Sequence, residues 1–164
     1  MVRAPEAYGR LRELARSGGA QGDAYVEATV HEGMRVRPVV PIVVRMVRRP
    51  WQLGAYVVPA GTPVAVSIVA LHHRADVYPE PFRFRPERFL ERRPGTYTWI
   101  PFGGGIRRCL GAALAMAEQR VVLGAIARRT DLAAADPAPE GARQRNVTML
   151  PSRGGRVVVA HKAR

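Results

Sequence analysis

The sequence predicts a mixed α and β fold, and three observations support this. Apolar residues recur with helical spacing over residues 5–16, 24–35 and 110–129. The pattern changes to that of strands over residues 42–69 and again in the tail, over 146–160. Hydrophobic residues make up 47% of the 164 residues, which is enough for one domain with a packed core.

Two helices are predicted at the amino end of the chain. Pro5 suits the first turn of the helix over 5–16, because its ring fixes φ and its missing N–H has no helical partner there. The glycine-rich residues 17–22 break this helix. Asp23 is the predicted N-cap of the second helix, which is expected over 24–35.

Strands are predicted in the middle of the chain and in its tail. β-Branched residues indicate strands at about 42–47 and 64–68, and VVPAGTP at 57–63 supplies a turn between them. The tail has strand patterns at 146–150 and 156–160. The turn-forming PSRGG lies between these two, so they are expected to form a hairpin.

The remaining segment contains an irregular stretch, a loop and the longest predicted helix. Residues 74–101 are rich in proline, arginine and aromatic residues and have no sustained period, which in a compact domain is typical of a functional segment. The glycine-rich loop FGGGIRRCLG follows at 102–111. Helical apolar spacing then covers about 110–129.

Composition excludes several classes of protein. The single cysteine, Cys109, excludes an internal disulfide framework and a cysteine-rich zinc site. No apolar run reaches the roughly 20 residues of a membrane span, and no secretory signal is visible, so a soluble cytoplasmic protein is expected. The formal net charge of +13 keeps a basic nucleic-acid-binding module as an alternative, although the arginines are dispersed with acids between them.

Cys109 is the residue best suited to chemistry. It precedes the longest predicted helix, whose N-terminus favours an anion, and Arg107 and Arg108 add positive charge. These features favour a thiolate, which is a nucleophile or a metal ligand, whereas a lone cysteine is otherwise most often a small buried apolar residue. A thiol enzyme needs a base, and none of the histidines has a recognisable triad spacing: His31, His72, His73 and His161. Ligand spacing makes a zinc site only a weak alternative.

Three motifs in order resemble the cytochrome P450 family. The loop Phe102-x-x-Gly105-x-Arg107-x-Cys109-x-Gly111 is similar to the family's haem-binding loop. EGMR at 32–35 looks like its Glu-x-x-Arg helix motif, and PERF at 86–89 looks like its Pro-Glu-Arg-Phe element. The resemblance runs from about residue 3 to 160. It implies the C-terminal part of the mainly α P450 fold: the Glu-x-x-Arg helix, a small sheet, an irregular meander, the cysteine loop, a long helix and a C-terminal β-hairpin.

The resemblance also implies the cofactor and its contacts. Cys109 would be the proximal thiolate ligand of the iron of haem b, with Phe102 beside the sulfur. The other expected haem-binding residues are Arg107, Arg45 and His72 near the propionates, and Gly105 and Gly111 in the loop. A buried ionic network is expected to have a structural and not a catalytic role, and its members are Glu32, Arg35 and Arg88.

By resemblance, the expected function is monooxygenation, in which one atom of O₂ enters a small organic substrate. Electrons would come from a ferredoxin or flavoprotein reductase on the Cys109 face, where Arg108 and Arg120 would meet acidic groups. No nucleic-acid partner and no membrane anchor are expected. Residues 1–164 would be a single partial domain that lacks the distal oxygen-activating helix and the N-terminal part. The chain is therefore expected to be a truncated or fragment form, not active alone, and an inactive haem-binding fragment is a further alternative.

Overall fold

The computed structural model describes residues 1–162. Its first two helices, α1 (Pro5–Ser17) and α2 (Gly19–Val36), are separated by Gly18 alone. The predicted break over 17–22 and the predicted N-cap at Asp23 are therefore wrong. Gly18 and Gly19 both have φ of 73°, a left-handed conformation that glycine adopts without strain, so the chain reverses within very few residues.

A third long helix, the last in the described chain, completes the core. α3 (Ile68–His72), α4 (Arg88–Glu91) and α5 (Ala112–Arg129) follow in the chain, and α5 packs against both α1 and α2. The helices meet in a buried cluster of apolar and aromatic side chains: Tyr8, Leu11, Ala15, Tyr25, Val26 and Ala127. This core fixes α2, which carries the predicted network, relative to α5, which follows the cysteine loop.

Strands β1 (Ile42–Met46) and β4 (Pro63–Ser67) form an antiparallel pair, as the strand pattern predicts. The excursion between them contains a hairpin that the sequence did not predict, formed by β2 (Trp51–Leu53) and β3 (Tyr56–Val58). Ile68, expected in a strand, instead begins α3. The Ser67 hydroxyl explains this start, because its oxygen accepts a hydrogen bond from Ala70 N–H at 3.1 Å.

The tail contains two strand pairs in place of the predicted hairpin. β6 (Ala142–Arg145) pairs with β7 (Thr148–Pro151) through a two-residue turn at Asn146, whose φ is 53°. β5 (Thr130–Ala134), which continues directly from α5, pairs with β8 (Val157–Lys162). The predicted pairing of 146–150 with 156–160 is wrong because each segment has a different partner upstream.

The mixed helix and strand architecture is confirmed. Between α3 and α5, the only helical segments in the described chain are the one-turn α4 and a 3-10 turn at Gly105–Arg107, so the predicted irregular stretch is also present. Across residues 1–162, no helix is both long and apolar enough to cross a membrane.

Candidate functional site

The cysteine loop is closed by its own backbone. Cys109 N–H donates to Phe102 O at 3.0 Å, and Gly103 N–H donates to Ile100 O at 2.9 Å. The Cys109 thiol is exposed, and α5 begins shortly after it at Ala112. The free N–H groups of this helix terminus favour negative charge at the sulfur.

Two of the loop glycines are required by the backbone. Gly103 and Gly105 have φ of 72° and 63°, and Gly105 opens the 3-10 turn in which Arg108 N–H donates to Gly105 O at 3.1 Å. Gly111 has φ of −81°, which other residues adopt readily. A Cβ added at Gly111 would lie 3.9 Å from the Cys109 sulfur, an ordinary contact, so the conformation does not require glycine there.

The surface around the sulfur is apolar and open. Ile106 and Leu110 are fully exposed, and Leu114 on the first turn of α5 is 65% exposed. Large apolar side chains grouped around one thiol are typical of a surface that a ligand covers. Arg107 belongs to the same loop and is exposed, so its guanidinium is accessible to a carboxylate on such a ligand.

The two arginines expected near the propionates form no ion pair within the described residues. Neither Arg107 nor Arg45 has a carboxylate within ion-pair distance in residues 1–162. Arg45 lies on β1, is exposed and donates to the carbonyl of Val44 at 2.8 Å. Both guanidiniums therefore lack a charged partner in the described chain and can pair with an anion from outside it.

Phe102 is half-buried and packs on the aromatic residue that precedes the loop. Its ring meets Trp99 edge to face, with centroids 6.1 Å apart and planes at 74°. Trp99 contacts Phe89 and His31 in turn, and its indole N–H donates to His31 O at 3.1 Å. The sequence analysis did not single out Trp99, whose only signal was its place among the aromatic residues of the irregular stretch.

The structure brings together Glu32, Arg35 and Arg88. Arg35 makes a bidentate pair with Glu32 at 2.7 and 2.9 Å, and Arg88 Nε lies 3.2 Å from both carboxylate oxygens. Glu32 and Arg35 are fully buried, and Arg88 is 8% exposed. Two guanidiniums thus share one carboxylate out of water, an arrangement that requires further hydrogen bonds.

Backbone groups of the irregular stretch supply those hydrogen bonds. Arg85 N–H donates to Glu32 at 2.8 Å. The two guanidiniums donate to a set of carbonyls, those of His72, Pro79, Glu80 and Arg83. The aromatic face of Tyr78 covers the Arg35 guanidinium at 5.1 Å, and burial raises the pKa of the Tyr78 hydroxyl. The network therefore fastens the irregular stretch to α2.

His72 has a different environment from the predicted one. It is fully buried at the end of α3, and its ring nitrogens contact Arg35 O at 3.2 Å and Ile100 N at 2.9 Å. Both nitrogens are thus occupied by backbone groups. The expected contact with a haem propionate does not fit this environment, because no polar atom of the ring is left for it.

None of the three histidines whose side chains the structure describes has a hydrogen bond to Cys109. His31 and His73 donate their Nδ1 hydrogens to carbonyls on their own helices, those of Glu27 and Val69, and His72 is occupied as described. The side chain of His161 lies outside the described residues. Within residues 1–162, no group of three His, Cys, Asp or Glu side chains is placed to hold a metal ion.

Comparison with known proteins identifies the family. The chain matches the cytochrome P450 family model over residues 24–157. It is 44% identical over 153 residues to "Putative cytochrome P450 137" of Mycobacterium tuberculosis, which covers 93% of this chain and 32% of that protein. It is 41% identical over 147 residues to "Putative cytochrome P450 135B1" of Mycobacterium bovis, with 90% and 31% covered.

A solved structure agrees with these relatives. The fold matches that of a 6-coordinated cytochrome P450 from Thermus thermophilus with a TM-score of 0.77 and 32% identity, covering 93% of this chain and 39% of that one. The chain spans about a third of the length of the curated relatives it matches. The resemblance of the three motifs is thereby confirmed, and the chain belongs to the cytochrome P450 family.

Proposed function

We propose that this chain binds haem b through the Cys109 thiolate, as the C-terminal, thiolate-ligand part of a monooxygenase that places one atom of O₂ into a small organic substrate. Family membership implies a haem cofactor. The observation that carries the proposal is the exposed Cys109 thiol at the start of α5, within a surface of exposed Ile106, Leu110 and Leu114. A single cysteine supports haem b, because covalent haem attachment through C-x-x-C-H uses two.

The chain's own residues bind and orient the cofactor. Arg107 and Arg45 would pair with the propionates, and the exposed apolar side chains would pack against the ring. The hydrogen bond from Cys109 N–H to Phe102 O fixes the loop, and Phe102 would lie beside the sulfur in the haem-bound form. When bound, a thiolate-ligated haem supplies oxygen activation, because the thiolate donates electron density that favours O–O cleavage.

An electron-transfer partner, a ferredoxin or a flavoprotein reductase, is proposed to bind on the Cys109 side through acidic groups. Arg108 supports this role, since it is exposed and has no carboxylate partner in the described chain. Arg120 is less suited, because it forms an ion pair with Glu27 at 3.2 Å on the surface. The family assignment does not favour the nucleic-acid alternative, which leaves Cys109 and the three motifs without a role.

A reduced carbon monoxide spectrum tests the proposal. The full chain is titrated with haemin, reduced and exposed to CO, and a Soret band shifted far to the red is expected from thiolate ligation. Cys109→Ala should lose that band, and Arg74→Ala, at an exposed residue paired only with Asp76, should keep it. If the wild-type chain binds haem without the shifted band, the proposal is wrong.

A further inference from the structure

Three consecutive residues leading into the cysteine loop are held by three different parts of the fold. Residues 98–100 lie just before Phe102, and each makes one hydrogen bond to a distant side chain or backbone group. The Tyr78 hydroxyl donates to Thr98 O at 2.8 Å. The Trp99 indole N–H donates to His31 O at 3.1 Å. Ile100 N–H donates to the ring nitrogen Nε2 of His72 at 2.9 Å.

The His72 hydrogen bonds specify one form of its ring. Arg35 O can only accept, so His72 Nδ1 carries the hydrogen, and Ile100 N–H donates, so Nε2 carries none. The ring is therefore the neutral Nδ1–H tautomer. Among the hydrogen bonds of the described residues, only those of the His72 side chain join the backbone of the Glu-x-x-Arg motif to the segment before the loop.

We infer that His72 is a positioning residue for the thiolate loop, which transmits the placement of the buried network to Cys109 through the backbone of Ile100. The route is short. Arg35 pairs with Glu32 through its side chain and accepts from His72 through its carbonyl, while Ile100 accepts from Gly103 N–H, where the loop turns. Ile100 is buried, with 8% of its surface exposed, so water cannot replace a lost partner of its N–H at low cost.

The surroundings of His72 keep its ring neutral. Burial lowers its pKa to about 4, and the nearby charges of Arg35 and His73 act in the same direction. Its edge faces the ring of Tyr78 at 6.3 Å, and the Arg35 guanidinium donates to His72 O at 2.7 Å. The hydrogen bond from Nδ1 to Arg35 O favours an imidazolium, but burial outweighs it, and the net charge of Glu32, Arg35 and Arg88 is positive.

Substitutions can separate the two hydrogen bonds of the ring. His72→Gln places an amide oxygen near the Nε2 position, where it can accept from Ile100 N–H, whereas His72→Asn reaches only the Nδ1 position and keeps the bond to Arg35 O. His72→Leu removes both bonds. His73→Leu is the matched control, because the Nδ1 hydrogen of His73 goes to Val69 O on its own helix.

Two readouts on the full chain test the inference. The first is hydrogen exchange at the Ile100 amide, which should speed up about tenfold or more in His72→Leu and His72→Asn and stay near wild type in His72→Gln and His73→Leu. The second readout is the reduced CO spectrum. The fraction of haem without the red-shifted band should rise in His72→Leu and His72→Asn. This second readout rests on the proposed function, whereas exchange at Ile100 needs no haem, so the two ideas can fail separately.

The inference is overturned if His72→Leu leaves Ile100 exchange at the wild-type rate, or if His72→Gln is no closer to wild type than His72→Leu. Should His72→Leu not fold, the wild-type chain provides the test. Between pH 6.5 and about 4, exchange at Ile100, corrected for its intrinsic rate, should rise relative to the amide of Ala115 in α5, because protonation removes the acceptor. An unchanged ratio would also overturn it.

Discussion

The buried network around Glu32 and the exposed loop around Cys109 differ in how many of their polar and charged side chains have a partner within the described chain. In the network, each charged side chain has partners within the fold, and no described residue needs a ligand there. In the loop, the thiol of Cys109 and the side chains of Arg107, Arg108, Ile106 and Leu110 are exposed, and the ion pairs of the described chain include neither arginine. We propose that the first region determines where the loop lies and that the second receives a ligand.

The largest effect is expected from a substitution that removes the carboxylate of the buried network. Glu32→Ala leaves Arg35 and Arg88 buried without a carboxylate, which should cost about 3–5 kcal/mol in the free energy of unfolding. Haem incorporation should be lost in consequence. Glu91→Ala is the control, because Glu91 pairs with Arg85 at the surface and should cost no more than about 1 kcal/mol. Urea unfolding and haem content measure both, and near-wild-type values for Glu32→Ala would contradict the structural role.

Acid should weaken the same region. The pKa of His72 is lowered from 6.5 to about 4 in the fold by burial, so the unfolded chain binds more protons between these values. Stability is therefore complete above pH 6.5 and falls as the pH drops toward 4, by up to about 3 kcal/mol at 1.36 kcal/mol per pKa unit. Burial also lowers the pKa of His31, which acts in the same direction.

Urea unfolding across this pH range measures the acid effect, and His72→Gln should flatten the curve. A curve of equal steepness in that variant would show that other groups cause the acid sensitivity.

A smaller effect is expected within the loop backbone. Gly105→Ala places a Cβ in a left-handed conformation with φ of 63°, which should cost about 1–2 kcal/mol and weaken haem binding. Gly104→Ala is the matched control, since Gly104 has extended backbone with φ of −151° and no atom within 4 Å of an added Cβ. Thermal unfolding and haemin titration compare the two variants. Equal losses in both would mean that the turn at Gly105 does not fix the loop.

The variant with the smallest expected effect on folding best separates the role of the exposed loop surface from that of the buried network. Leu114→Ser changes an exposed side chain, so the free energy of unfolding of the haem-free chain should move by no more than about 0.5 kcal/mol. Its haem affinity should nevertheless fall, because the leucine packs on the ring in the proposed complex. Leu90→Ser, at an exposed leucine of α4, should change neither quantity. Unchanged haem affinity in Leu114→Ser would remove that side chain from the proposed ring contact.

Local patterns in the sequence predicted the elements that depend on local forces. The helical spacing found α1 and most of α2 and α5, and the three-residue separation of Glu32 and Arg35 placed them on one helix face. The start of α2 was missed because it depends on Gly22 packing against α1, where a Cβ would lie 2.4 Å from Leu14 O. That contact is not visible in a local pattern.

Partners distant in sequence account for the other errors. β8 pairs with β5, whose short segment at Thr130–Ala134 has no clear strand pattern, so the sequence predicts the nearer strand as the partner of β8. His72 forms hydrogen bonds with backbone groups of Arg35 and Ile100, which lie 37 and 28 residues away. Because any residue can supply such a group, the sequence does not indicate these contacts. Family resemblance predicts the haem-binding role of the loop residues, which stays a prediction, and it placed His72 near a propionate, where the structure has two backbone groups.

The central claim is that the thiol of Cys109 is the protein ligand of a haem iron, and iron X-ray absorption on the haem-loaded full chain tests it most directly. A sulfur atom in the first coordination shell of iron is expected in the wild-type chain and in Arg74→Ala. Cys109→Ser should show only nitrogen and oxygen neighbours. A wild-type spectrum without sulfur, or a sulfur shell that persists in Cys109→Ser, would contradict the account.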